Sequence, residues 1–399
     1  MTADILPSLN PTPSPQSEED ELDWIRLLRS RRVGVATFFR LLDEHGSAKA
    51  ALDALPDVAR QAGVKGYAAC PFEVAEDEHR RARFAGARMV AWGTPDYPEL
   101  LSEIPDPPPF FWAIGDVALL HSPMIALIGA RNASSVGTRM ARRLAADLSE
   151  AGFTVVSGLA RGIDTVAHEV ALEKGKTVAV LAGGVDVIYP KDNTVLGEEI
   201  ARKGVRLSEQ PLGLSPQARH FPRRNRLISG LARAVVVVEA AAKSGSLLTA
   251  RNALDQGRDV LAVPGHPFDA RASGCNFLIR DGAALVRGAA DVIEAIGPAA
   301  RAPTDAPSRQ DRAAASSPVA GVDIPPPAPR AARSLAQTAA LHRQILDRLG
   351  PSPLAEDQLI RDMGTQSGAV SADILPEIVS LELEGRIIRQ PGGLLSKST

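Results

Sequence analysis

Apolar and polar positions follow two rhythms along this chain. Between residues 123 and 290, short apolar runs alternate with segments of helical period. Met124–Gly129 reads as a buried strand, and Val136, Met140, Leu144 and Leu148 then recur every four residues as one helix face. Gly152 closes that helix. Phe153–Val156, Thr177–Leu181, Val205–Leu207, Ala234–Val238 and Asp259–Ala262 read as further strands, with helices over Asp164–Lys174, 192–203 and Leu247–Gln256. Apolar strands each followed by a helix predict an α/β fold, a doubly wound parallel sheet covered on both faces.

The flanking regions differ. Residues 1–20, rich in Pro, Ser and acids, read as a disordered tail. Residues 21–92 have helical period: Trp24, Leu27 and Leu28 share a face, as do Phe38, Leu41 and Leu42. Val33–Phe39 has the pattern of a helix-hairpin-helix turn. It serves either as a packing turn or as a set of amides presented to phosphate. The α/β domain occupies 93–296. It opens with a proline-rich stretch, 94–115, expected to lie extended over the sheet. Residues 297–333 are Ala, Pro, Ser and Arg and read as a linker. In 334–399, helices around Leu341–Leu349, Leu354–Met363 and Ala369–Glu384 precede two short strands around Gly392-Gly393, a winged-helix pattern. Ala369–Glu384 carries four acids and no Lys or Arg. A protein contact, or DNA contact through the wing at Arg386 and Arg389, is therefore expected there.

Composition narrows the function classes. The 399 residues carry 45 basic and 47 acidic groups, which excludes a globally basic nucleic-acid binder but not a local patch. Two cysteines, Cys70 and Cys275, exclude a disulfide scaffold and a Cys-rich zinc site, and fit a reducing cytoplasm. No apolar run reaches the ~18 residues of a membrane helix, and no Lys or Arg precedes Arg26, so neither membrane nor export is expected.

Ligands of doubly wound sheets bind beyond the carboxyl ends of the strands. The first such loop, Gly129–Gly137, has Arg131 where a dinucleotide fingerprint needs its second Gly, so the usual NAD or FAD site is not expected. Arg131 above a helix N-terminus with free amides still makes an anion site, unless a carboxylate pairs with it. The second loop offers Ser157, Gly158, Arg161 and Gly162, then Asp164 as a helix cap and His168 one turn on. The Gly183-Gly184 pair in the third loop suits close approach by backbone or by ligand. From Gln210 to Val238 there is no acid, while Arg219, Arg223, Arg224, Arg226 and Arg233 cluster near Phe221 and Asn225, as expected of a surface that stacks bases and holds phosphates. Lys243, Ser244 and Gly245 open a helix as a further anion cradle. Gly175-Lys176-Thr177 lacks the earlier Gly of a P-loop, His168-Glu169 is followed by Leu172 where a zinc protease needs His, and the seven histidines lack ligand spacing. Neither a metal nor a cofactor is expected. The absence of a base–nucleophile pair argues for a non-catalytic protein.

Together these loops resemble the DNA-processing protein A family (DprA, also called Smf). The resemblance rests on Tyr97-Pro98, Asp106–Pro108, Gly129–Arg131, Ser157–Asp164 with His168, Gly184 with Tyr189-Pro190, Ser208-Glu209, Phe221–Arg226, Val238–Ala240, Ser244-Gly245, Thr249-Ala250, Pro264-Gly265 and Gly274–Asn276 in order over about 95–288. It implies an extended Rossmann-like domain that binds single-stranded DNA, dimerises, loads RecA recombinase and displaces single-strand-binding protein in natural transformation or recombination. It implies that Arg131, Phe221, Arg223, Arg224, Asn225 and Arg226 lie in the DNA pocket. It also implies a SAM-like N-terminal domain and, as in some members, a C-terminal winged helix. Ala130 departs from the frequent Ser of the family's first loop, which removes one hydroxyl contact. The competing expectation is a nucleotide-processing enzyme of a Rossmann-like phosphoribohydrolase type, although its Pro-Gly-Gly-x-Gly-Thr pattern is missing here.

Overall fold

The computed structural model describes residues 14–61, 63–299, 344–349, 354–355, 359, 363, 378, 381, 387–390 and 394–397. The chain divides into two compact units, Met1–Ala306 and Pro307–Thr399.

The first unit begins with four helices: α1 (Glu18–Arg29), α2 (Val35–His45), α3 (Ala48–Gln61) and α4 (Phe72–Phe84). α1 starts inside the stretch expected to be a disordered tail. Ser17 and Asp20 form a reciprocal capping box there, satisfying amides that a helix start otherwise leaves bare. Residues before 14 lie outside the described residues.

A nine-stranded sheet follows. Its elements are β1 (Arg88–Ala91), α5 (Glu99–Ser102), β2 (Phe110–Gly115), β3 (Met124–Gly129), α6 (Ser135–Glu150), β4 (Thr154–Ser157), α7 (Ile163–Lys174) and β5 (Thr177–Val180). They continue with α8 (Thr194–Lys203), β6 (Val205–Ser208), α9 (His220–Leu231), β7 (Ala234–Glu239), α10 (Ser246–Asp255), β8 (Asp259–Ala262), α11 (Ser273–Arg280), β9 (Ala284–Leu285) and α12 (Ala289–Ile296). The strand order is β1-β2-β6-β5-β4-β3-β7-β8-β9. The six pairings from β6 to β9 are parallel, as expected. The sheet is nonetheless mixed. β2 runs antiparallel to β6, and β1 antiparallel to β2. The proline-rich stretch is therefore not only an extended cover. Its prolines end at Pro109, and Phe110–Gly115 beyond them is free to donate to a ladder.

The expected boundary at 92/93 cuts through one core. Trp24, Phe38 and Leu52 of the helices pack in the same cluster as Phe110 and Trp112 of β2 and Leu212. Glu78 of α4 accepts from Trp112 Nε1 at 2.8 Å and from Arg29 Nη2 at 2.8 Å, tying the helices to the sheet. The two faces of the sheet carry separate aliphatic cores.

In the second unit, β10 (Leu354–Ala355), β11 (Ile387–Gln390) and β12 (Leu394–Lys397) form an antiparallel sheet in the order β10-β12-β11. Leu354 and Ala355 thus pair in a strand, where a helix was expected. The β11–β12 hairpin agrees with the reading of a wing. Ile345, Leu349, Leu359, Ile378, Leu381 and Leu395 share a core. The expected linker from 300 onward and most of the expected helix 369–384 lie outside the described residues. No helix among the described residues is long and apolar enough to cross a membrane.

Candidate nucleic-acid interface

Strand order reverses at β3. The chain moves from β3 through β4 and β5 to β6, then crosses to β7 on the other side. The crevice beyond the carboxyl ends of β3 and β7 is the topological switch point, where open α/β sheets bind ligands. A cleft of ≈ 770 Å³ lies there. Of the residues expected to bind, Gly129, Arg131, Phe221, Arg224, Asn225, Lys243, Ser244 and Gly245 line it.

Arg131 and Lys243 are exposed, and neither has an ion-pair partner among the described residues. The Arg131 guanidinium lies 5.2 Å over the ring of Phe221, and that of Arg224 lies 5.9 Å from it. Tyr189, half exposed, meets Phe221 edge-on at 5.9 Å. The cleft therefore holds a cation–aromatic platform.

The arginine cluster is not the acid-free surface its sequence suggests. It forms the first turns of α9, in which His220, Arg224 and every residue from Arg226 to Leu231 are buried. Arg226 is buried, and its Nη2 meets Glu209 Oε2 at 2.5 Å while its Nε meets Asp106 Oδ2 at 3.1 Å. Burial pushes the Glu209 carboxyl up, offset by Arg226, Arg223 and Arg29. Arg224 is also buried and donates to the Val180 carbonyl at 2.8 Å. Burial lowers its pKa to about 10, against the pull of Asp164. Its Nε has no acceptor among the described residues. Arg223 is exposed but borders different grooves, beside Asp106 and Arg226.

The second loop is mostly structural. Ser157 Oγ donates to the Leu127 carbonyl at 2.6 Å and is fully buried. Arg161 pairs with Asp192 at the surface. A Cβ at Gly158 would meet the Arg224 guanidinium, so a larger residue there would displace that side chain. Gly162, at φ +80°, packs on the carbonyls of Ala130 and Arg131 and so supports the Arg131 loop from below. Asp164 does not cap its own helix, because Gly162 occupies the N-cap position. Its carboxylate instead accepts from the Gly158 and Ala160 amides at 3.1 and 3.4 Å. His168 accepts from the Leu159 amide at 3.3 Å and meets Thr177 Oγ1 at 2.7 Å. Thr177 Oγ1 in turn donates to Val155, so His168 donates from Nδ1 in its neutral form. Burial and Arg224 pull its pKa down to about 3.

Two of the amides at the start of α6, those of Ser134 and Gly137, are occupied. Glu239, buried at the end of β7, accepts from Ser134 N at 3.1 Å and Ser134 Oγ at 2.5 Å. Ser134 Oγ accepts from Gly137 N at 2.9 Å. The protein's own carboxylate thus sits at the dipole end where a bound phosphate would be expected. The reading of the sequence missed this role of Glu239, and also missed Asn132 and Arg271 in the cleft lining. Only the strand-end position of Glu239 could have signalled it. Across the cleft, Ser244 and Ser246 bond to each other at 2.5 Å, and Gly245 is exposed with open space where a Cβ would stand.

Residues 88–297 match the sequence profile described as DNA recombination-mediator protein A. The chain belongs to this family. Residues 18–80 match the DprA-like N-terminal HHH domain, and 326–393 the DprA winged helix domain. The DNA processing protein DprA of Bacillus subtilis is 42% identical over 214 residues, 53% of this chain and 72% of the relative. That of Streptococcus pneumoniae is 45% identical over 198 residues, 49% of this chain and 70% of the relative. Protein Smf of Synechocystis is 40% identical over 232 residues, 57% of either chain, so the match spans little more than half of that relative. The X-ray structure of DprA from Streptococcus pneumoniae is similar at a TM-score of 0.60 and 35% identity, covering 69% of this chain and 98% of that one. Membership of the DNA recombination-mediator family agrees with the resemblance read from the loops.

Proposed function

We propose that this DNA recombination-mediator family member binds single-stranded DNA in the switch-point cleft without catalysing a reaction on it. The observation that carries the reading is the Arg131–Phe221 platform facing Lys243, two cations without acidic partners beside an aromatic ring. A guanidinium and a ring stack any base, and Arg and Lys hold any phosphate, so such a site takes strands regardless of sequence. The open space at Gly245 leaves room for a backbone to approach α10. Asp164, which lines the cleft, and Glu239 at the end of β7 are held by backbone amides, which supports a binding rather than an acid–base role.

The partner biology belongs to the same reading. The bound strand is handed to RecA recombinase with displacement of single-strand-binding protein, in the cytoplasm, during natural transformation or recombination. A homodimer forms through the Rossmann-like domain. Exposed Leu254 and Phe277 beside a groove of ≈ 660 Å³ near the β8–β9 edge offer the apolar surface for it.

Fluorescence anisotropy of a labelled ~30-nucleotide strand and its duplex, at roughly 50 and 200 mM salt, tests the binding. The expected result is preference for the single strand, with a steep salt dependence. Arg131→Ala should weaken binding at all sequences and lower the salt slope by about one. Phe221→Ala should weaken it about tenfold with the slope unchanged. Equal affinity for both forms, untouched by either substitution, would refute the assignment. RecA filament growth on strands coated with single-strand-binding protein tests the loading step.

A further inference from the structure

The loop after β8, residues 263–272, reaches the cleft from its far side. Its base is fixed to α11. The Gly265 amide donates to Asn276 Oδ1 at 3.2 Å, and Asn276 Nδ2 donates back to the Gly265 carbonyl at 3.0 Å. Its tip is braced as well. The Phe268 amide donates to His266 Nδ1 at 3.3 Å, and the two rings lie 5.6 Å apart. Asp269 accepts from the Arg271 amide at 2.9 Å and from its Nε at 3.2 Å. This ordered loop ends with Arg271 lining the cleft, 4.0 Å from Glu239, while Phe268 stands 94% exposed. A single exposed Phe is ordinary. An exposed Phe on a braced loop, three residues from a cleft-lining guanidinium, offers the same two residue types as Arg131 and Phe221, here with the ring left open to solvent.

We propose that Arg271 and Phe268 form a second nucleotide station, at which Arg271 takes a phosphate and Phe268 stacks a base of the strand as it leaves the cleft. This rests on the single-strand reading above and extends the site by one loop. The Arg271–Asp269 pair is exposed to water, so trading the carboxylate for a phosphate costs little. The carboxyl edge from β5, whose following loop carries Tyr189, to β8 spans four strand spacings, about 19 Å. That length accommodates roughly six nucleotides at a stacked rise of ~3.4 Å.

The test uses the full chain and a labelled oligo-dT of ~30 nucleotides. Phe268→Ala should lower affinity about tenfold, and Phe268→Tyr should restore it. Arg271→Ala should lower the salt slope by about one. Phe268→Trp places an exposed indole in a protein whose own tryptophans lie in or against the helical core. Its fluorescence should be quenched as the strand is added, with the midpoint seen by anisotropy. Wild-type affinity in Phe268→Ala together with an unquenched Trp at saturating strand would overturn the second station while leaving the first intact. Failure of the unsubstituted protein to bind oligo-dT would overturn both, and that outcome is read directly from the wild-type titration.

Discussion

At the scale of the residue, arginines that look alike in sequence do opposite work. Arg131 faces solvent above an aromatic ring, whereas Arg226, beside the same Phe-Pro segment, is buried between Glu209 and Asp106. Breaking a buried ion pair from one side leaves an uncompensated charge, at a cost of about 3–5 kcal/mol. Arg226→Ala should therefore show that loss in chemical denaturation, while Arg131→Ala stays within about 0.5 kcal/mol of the parent and loses strand binding. His168 adds a pH signature. Its pKa near 3 lies below its unfolded value of about 6.5, so in that window the unfolded chain binds a proton the native one does not. Its contribution to stability is complete above pH ~6.5 and is lost as pH falls toward about 3, at a slope of up to ~1.4 kcal/mol per unit. His168→Gln should flatten the wild-type decline between pH 6.5 and 4, measured by urea unfolding. Asp164, raised by burial, acts in the opposite direction in the acidic range and is unaffected by that substitution.

At the scale of the element, the loop between β3 and α6 owes its shape to β7. Glu239 holds Ser134, and Ser134 caps the helix whose approach displays Arg131. Glu239→Gln keeps the size but offers one acceptor oxygen where the carboxylate offered two. A loss of about 1–3 kcal/mol in stability is expected. Strand affinity should fall several-fold with the salt slope unchanged, because no phosphate contact is removed. The sequence displayed the elements themselves well. The apolar runs placed β3 to β8 within a residue or two, because strands buried on both faces must be apolar throughout. It displayed the Arg131 loop and the start of α10 for the same local reason. It did not display β1, which pairs with β2, or β2, which follows a proline run and takes its other partner from β6, nor the fate of Arg226, whose partner Asp106 lies 120 positions away. Long-range pairing leaves no trace in local composition. The acid-free stretch from Gln210 was real in sequence and compensated in space.

At the scale of the whole molecule, the four N-terminal helices and the sheet share a core through Trp24, Phe38, Phe110 and Trp112. The two parts should melt together. A fragment of residues 14–299 is expected to unfold in one transition, with far-ultraviolet circular dichroism and tryptophan fluorescence coinciding. Two separated transitions would show the helices to be an independent domain. The sheet's geometry also bears on competition inside a cell. Glu239 fills the helix end against which sheets of this kind hold a mononucleotide or dinucleotide phosphate. A free nucleotide concentrates its charge on that one point and meets a carboxylate already seated there. A polymer spreads its charge and, on the proposed reading, would reach Arg131 and Lys243 from outside. On the proposed reading, free mononucleotides and dinucleotides would be poor competitors for the cleft, and a strand would not have to outcompete them.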